Sequence, residues 1–338
     1  MKKIIFLLFT LGLVSCPSAQ NSTKPVLNSL SNGEYANTIK AEDLKTLLYQ
    51  LADDKMQGRM TGEPGQKMAA EFLKSFYEKE GIASPLGDDN YFQTIPASYF
   101  GRMKDPKPSE NVVAFIKGSE KPNEIIVLSA HYDHVGMKDG EIYNGADDDG
   151  SGTVSVLEMA KAFQQAVKDG NGPKRSILFL HVTGEEIGLY GSKYYTENPI
   201  FPLENTVCDL NTDMIGRIDP DKKDDPNYIY LIGSDKLSQK LHDLSESINK
   251  EYINLELDYK FNDENDPYRF YYRSDHYNFA KNNIPIIFYF NGVHEDYHRP
   301  TDTPDKIEYE LMAKRARLIF LTAWEVANQE ERITADKL

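Results

Sequence analysis

SAHYDHVGMKDGEIYNGADDDGSG, residues 129–152, decides how the rest of this 338-residue chain is read. The apolar run 125–128 feeds directly into His131 and Asp133, and a short polar excursion then brings Asp147, Asp148 and Asp149 against a Gly-Ser-Gly turn. That order describes a strand whose end carries potential ligands. Three adjacent carboxylates repel one another, and a fold sets them beside an imidazole most readily when a cation compensates the charge. An acidic surface loop would account for the Asp triplet alone but gives the preceding His-x-Asp no role.

Outward from that stretch, strand-like and helix-like segments alternate. Residues 111–117 and 124–128 are β-rich and separated by Gly118-Ser119-Glu120-Lys121-Pro122, which predicts an antiparallel pair at one edge of a sheet. A helical period begins after Gly152 and runs to the stop Gly170-Asn171-Gly172-Pro173. Further β-runs follow at 176–181, 206–210, 228–232 and 284–290, with helical stretches at 237–249 and 307–326. Upstream, 41–51 and 65–81 carry apolar residues at helical spacing, and the turn-rich GRMTGEPGQ of 58–66 between them is expected to close over one side of the molecule. Residues 87–105 show no period. The expected fold class is α/β, a mostly parallel mixed β-sheet sandwiched by helices, forming a single domain over 41–338. Ligands in such sheets gather at the carboxyl ends of the strands. The polar clusters fall there: His131, Glu185-Glu186, Asp213, and His298 beyond the last strand. Two insertions, 218–227 and 256–273, are expected to wall a cleft. His181, inside an apolar strand, reads as a core histidine and His242 as a surface one; His134 and His294 stay undecided.

The formal net charge of −15 argues against nucleic acid or an anionic membrane surface as a partner. Residues 1–15 have the basic start and apolar middle of an export signal, and the small Ser15 before Cys16 resembles a bacterial lipobox, in which the cysteine becomes the lipidated first residue. This predicts a lipid-anchored cell-envelope protein, with residues 16–40 as a flexible tether. An ordinary secretory peptide with an incidental cysteine is the alternative. Cys16 and Cys208 lie in settings too different to suggest a disulfide.

The ordered set HYD, GADDDGSG, TGEEIGLYGS, NTDMIG, SDH and DYHRPTDT resembles the secreted bacterial di-zinc aminopeptidases related to glutamate carboxypeptidases and glutaminyl cyclases, from about Glu42 to the carboxyl end. The resemblance implies two Zn2+ ions per chain bridged by one Asp, which falls on Asp148, with Asp147 left as the other possible bridge. His131 and Asp213 would complete one zinc site and Glu186 and His298 the other, with His134 close enough in sequence to compete. Glu185 would be the general base. Asp133 resembles the carboxylate that fixes the metal-bound imidazole, and Asp275 is expected to do the same near His298. Imidazole and carboxylate donors suit zinc, and an open coordination position suits catalysis. Tyr297 is a candidate donor to the oxyanion, and Arg273 a candidate contact for a substrate carboxylate or carbonyl. The expected activity is removal of amino-terminal residues from peptide substrates. A glutaminyl cyclase-like acyltransferase, a carboxypeptidase, and a non-catalytic zinc-binding surface lipoprotein are the alternatives.

Overall fold

The computed structural model describes residues 1, 31–87, 89–101 and 104–337. The export signal beyond Met1, Cys16 and most of the expected tether lie outside these residues. An eight-stranded mixed sheet runs through the molecule in the order β1-β2-β6-β3-β7-β10-β8-β9. Its members are β1 (Phe92–Ile95), β2 (Ser109–Ile116), β3 (Lys121–His131), β6 (Arg175–Val182), β7 (Thr206–Thr212), β8 (Tyr228–Ile232), β9 (Glu256–Asp258) and β10 (Ile286–Phe290); β4 (Gly136–Lys138) and β5 (Glu141–Tyr143) form a separate hairpin. The four central strands β6, β3, β7 and β10 are mutually parallel, while β1, β2 and β8 join antiparallel. All four central strands therefore end at one edge of the sheet.

Side-chain alternation divides the core into two layers. Ile126, Leu128 and Ala130 of β3, with Ile177 and Phe179 of β6, face a large helical layer, whereas Ile125, Val127, Leu178, Leu180 and Val182 face the other side. The large layer holds α1 (Asn32–Ala36), α2 (Ala41–Leu51), α3 (Pro64–Glu80), α4 (Gly152–Lys168), α6 (Gln239–Ile248) and α8 (Tyr309–Asn328); α5 (Tyr190–Glu197) and α7 (His276–Ala280) cover the opposite face. Burial on both faces explains why β3 and β6 read as continuous apolar runs. Among the described residues no helix is long and apolar enough to cross a membrane.

The structure departs from the sequence reading at three places. Strands β2 and β3 do not pair, because β6 lies between them, antiparallel to β2 and parallel to β3. Their connection passes over the start of β6 instead, with the N–H groups of Ser119, Glu120 and Lys121 donating to the carbonyls of Pro173 and Lys174. Residues 92–95, without a period, pair with β2 as an edge strand. The tether also ends well before residue 40. Ser31 caps α1 by accepting from the Glu34 N–H, Tyr35 is fully buried and stacks on Trp324 at 5.4 Å, and Ile39 is buried. Polar composition hid one aromatic anchor.

Candidate metal centre

The three aspartates of the opening stretch perform three different tasks. Asp147 is taken up on all sides: Oδ1 accepts from Ser151 Oγ (2.9 Å) and the Gly216 N–H (2.7 Å), and Oδ2 meets His294 Nε2 at 3.1 Å. Asp149 ties the loop to its neighbours, with Oδ1 accepting the N–H groups of Gly152 and Met214 and Oδ2 that of His131. Only Asp148 turns its carboxylate into the open space, while its backbone N–H and that of Asp147 donate to Asp302. The glycines permit this packing. A Cβ on Gly145, which sits at φ 54°, would lie 2.3 Å from the Asp148 carbonyl oxygen and 2.5 Å from the His134 ring, and one on Gly152 would lie 2.3 Å from the Thr212 carbonyl oxygen.

Around Asp148, the ends of the central strands deliver the other groups. His131 Nε2 lies 3.2 Å from Asp148 Oδ1 and 3.5 Å from Asp213 Oδ1. On the other side, His298 Nε2 is 3.0 Å from both Asp148 Oδ2 and Glu186 Oε2, and His134 Nδ1 is 2.6 Å from Glu186 Oε1. Two groups with the spacing of metal ligands result, His131-Asp148-Asp213 and His134-Asp148-Glu186, and they share Asp148. His298 faces the second. It occupies φ 53°, a conformation a non-glycine residue keeps only when its surroundings hold it.

The donor set fits divalent metal. His131 Nε2, both ring nitrogens of His134, Asp148 Oδ2 and Glu186 Oε1 are buried, and despite their short separations they lack hydrogen-bond geometry. One nitrogen of each ring can face the space shared with Asp148, while the second nitrogen of His134 points away from it. Without a cation the charges stay poorly compensated. Burial opposes charge on His298, yet the carboxylates of Asp148 and Glu186, each 3.0 Å from its Nε2, hold it up at about 10. Burial pushes the Glu185 carboxyl well above the usual carboxylate range, and repulsion from Asp213 and Glu186 adds to the effect against the pull of His131. Cations at the two groups would take the place of those protons.

The supporting residues differ in part from expectation. The His131 ring is held by the backbone carbonyl of Asp133, 3.1 Å from Nδ1, with the Asp133 carboxylate standing off at 3.8 Å. That carboxylate instead accepts from Thr61 Oγ1 at 2.7 Å and from the Glu185 N–H at 3.2 Å, so it aims the loop bearing both glutamates. Asp275 is not a support for His298. It accepts from Ser192 and faces His131 and Asp213 electrostatically, because α7 packs on the opposite face of the sheet. Sequence reasoning missed Ser274, whose Oγ donates to Asp213 Oδ2 at 2.7 Å while accepting from Asn211 Nδ2, and also Asp302. Their signals were their places in SDH and in PTDT. Among the undecided histidines, His134 joins the centre and His294 lies behind it. His181 is a buried partner of Tyr77, as its setting suggested; His242, read as a surface residue, is half-buried against Ser234.

An open cleft of about 350 Å³ adjoins the carboxylates of Asp148, Glu185 and Asp213. Its remaining wall is apolar, from Met214, Phe270, Phe288, Phe290 and Val293, with Arg273 and Tyr297 at the rim. Phe270 and Arg273 come from the second insertion, and Asp219 and Asp221 of the first line the adjoining groove. Tyr297 stacks on His298 with ring centroids 3.9 Å apart, and its hydroxyl is 3.5 Å from Arg273 Nη2.

Comparison with known proteins gives concordant results. Residues 111–323 match the model of peptidase family M28. A probable zinc metalloprotease of Pyrenophora teres f. teres is 32% identical over 155 residues, 44% of this chain and 29% of that protein. The chain thus spans less than a third of that relative's length. A probable leucine aminopeptidase of Arthroderma otae is 26% identical over 303 residues, 86% of this chain and 78% of that protein. Among solved structures, the Legionella pneumophila LapA aminopeptidase superposes with a TM-score of 0.68 at 21% identity, covering 89% of this chain and 75% of that one. At that identity the likeness speaks for the fold alone.

Proposed function

The chain belongs to peptidase family M28, and we propose that it is a two-zinc aminopeptidase that releases large apolar residues from the amino termini of peptides. The observation that carries the reading is the pair of ligand groups meeting on Asp148 beside a free glutamate and an open cleft. His131 and Asp213 would hold one ion, Glu186 and His298 the other, with His134 a further nitrogen donor and Asp148 common to both. Zinc bound there supplies Lewis acidity at the scissile carbonyl and makes water acidic enough to attack near neutral pH. Glu185 takes the proton of the attacking water and returns it to the departing amine. The Tyr297 hydroxyl donates to the carbonyl oxygen as charge builds on it. The apolar wall receives the amino-terminal side chain, a preference in keeping with the name of the leucine aminopeptidase relative.

Metal analysis of the purified protein after dialysis is expected to give about two zinc ions per chain, since donors from four strand ends exceed what one tetrahedral ion accepts. In a peptide panel, Leu-initiated peptides should be cleaved and amino-acetylated ones should not. Equal cleavage of the acetylated peptides would replace the reading with a carboxypeptidase. A single tightly held zinc, with cyclisation of Gln-initiated peptides, would replace it with a cyclase.

We also propose that Cys16 carries a lipid anchoring the enzyme in the cell envelope. Cys16→Ser should move the protein to the soluble fraction with its specific activity intact, because Cys16 stands fifteen residues before the Ser31 cap of α1 and far along the chain from the metal centre. Persistent membrane association of the variant would refute the anchor.

A further inference from the structure

Arg273 stands at the junction of two cavities. It lines the cleft that holds Asp148, Glu185 and Asp213, and also the groove continuing outward past Tyr268 and Asp221. Its guanidinium lies over the Phe270 ring, with Cζ 4.8 Å from the centroid, and its one polar neighbour is the Tyr297 hydroxyl. Among the described residues no carboxylate lies within ion-pair distance of it. The buried arginines differ: Arg59 and Arg315 donate to backbone carbonyls, and Arg175 and Arg217 pair with Glu124 and Asp296. The nearby acids are engaged elsewhere. Asp219 accepts from Tyr230 and the Asp221 N–H, and Asp221 pairs with Lys260 at 3.1 Å. A planar fork of donors, steadied on an aromatic ring and left without a carboxylate partner, suits a carboxylate brought by the substrate.

We propose that Arg273 receives the terminal carboxylate of a dipeptide, making short peptides the preferred substrates. This rests on the aminopeptidase reading above. With an apolar amino-terminal side chain against Phe288 and Phe290, the carboxylate nearest the scissile bond is the free end of the second residue. Arg273 is tied to the centre through Tyr297, whose hydroxyl lies 3.5 Å from Nη2 and whose ring stacks on His298. A longer peptide carries its carboxylate past Arg273 along the groove lined by Asp219, Asp221 and Lys260, and so does not leave it at the guanidinium.

The test compares kcat/KM for Leu-Gly, Leu-Gly-amide and Leu-Gly-Gly with the full zinc-loaded chain. Leu-Gly is expected to exceed its amide by roughly ten- to a hundredfold, the range for one charge-assisted hydrogen-bonded pair. Leu-Gly-Gly should fall nearer the amide. Arg273→Met should bring the Leu-Gly to Leu-Gly-amide ratio close to one, chiefly through KM for Leu-Gly, and Arg273→Lys should restore part of it. Binding supplies a second readout: Glu185→Gln should bind Leu-Gly more tightly than the amide in a calorimetric titration, and adding Arg273→Met should abolish the difference. A ratio near one in the wild-type chain, or a ratio that survives Arg273→Met, would overturn the proposal. So would a preference for Glu- over Gln-initiated amides without any preference for Leu-Gly over its amide, which would put a side-chain carboxylate on Arg273. If the wild-type chain cleaves none of these peptides while the Glu185→Gln protein still discriminates by binding, the aminopeptidase reading falls and the carboxylate receptor stands.

Discussion

Glu185 and Glu186 are adjacent and chemically identical, yet the turn after β6 gives them different company. The Glu186 carboxylate faces His134 and His298, whereas Glu185 lines the cleft with Asp148 and Asp213. The two amide variants should therefore fail differently. Glu185→Gln keeps the shape and loses the base, so zinc content should persist while turnover falls by roughly 10²–10⁴-fold. Glu186→Gln should lose or weaken one zinc and regain part of its activity in excess metal. Zinc analysis and peptide hydrolysis on both proteins decide the matter: equal zinc loss would make the supposed base a ligand, and normal hydrolysis by Glu185→Gln would end the mechanism. The sequence already distinguished this pair through resemblance. The resemblance also put the bridge on Asp148 but left Asp147 possible and gave Asp149 no task, because those differences lie in which N–H groups arrive from residues as distant as Met214 and Gly216.

Among the elements, α1 shows how little sequence a docked segment needs. It spans Asn32–Ala36 and is too short to be stable alone, so its order comes from packing. Tyr35 supplies that packing through Trp324 of α8 and through its hydroxyl, which donates to Asp169 at 3.1 Å. Tyr35→Ala should cost about 3–5 kcal/mol of stability, the range for deleting a buried aromatic side chain. A urea titration reads the loss; a change below about 1 kcal/mol, typical of surface substitutions, would mean the segment is a tether after all. Strands β2 and β3 make the complementary point. Each was legible from its composition, but a short connection suggested pairing, and the structure put β6 between them. Pairing order depends on which strand can satisfy two neighbours at once, and local sequence does not carry that information.

At the scale of the whole molecule, Glu158 should contribute a loss of stability as pH rises, against the opposite contribution of the buried His181 and His276 below pH 6.5. Glu158 of α4 is only 2% exposed, and burial outweighs the nearby Lys161, raising its carboxyl from 4.5 to about 7. At this group the folded state then binds more protons than the unfolded state between those values, so its contribution to the free energy of unfolding falls as pH climbs across the window and levels off above it. At 1.36 kcal/mol per pH unit the span corresponds to at most about 3 kcal/mol. Glu158→Gln should remove this downward contribution from the profile in urea unfolding between pH 5 and 8; an unchanged slope would show that the group ionises freely in the fold. By itself the sequence determined the fold class and the strands that carry the centre, and through its family resemblance it put forward His131, Asp148, Glu186, Asp213 and His298 as candidates. Periodicity and strand-end position are local properties, and a sheet fed by parallel strands must gather their ends at one edge. Only the tertiary structure decided that His134 joins the second group, that Asp133 steers the Glu185 loop, that Asp275 lies away from His298, and that Arg273 faces the cleft without a carboxylate partner. Each of these depends on a side chain's direction relative to residues far along the chain, which is settled only when the layers pack.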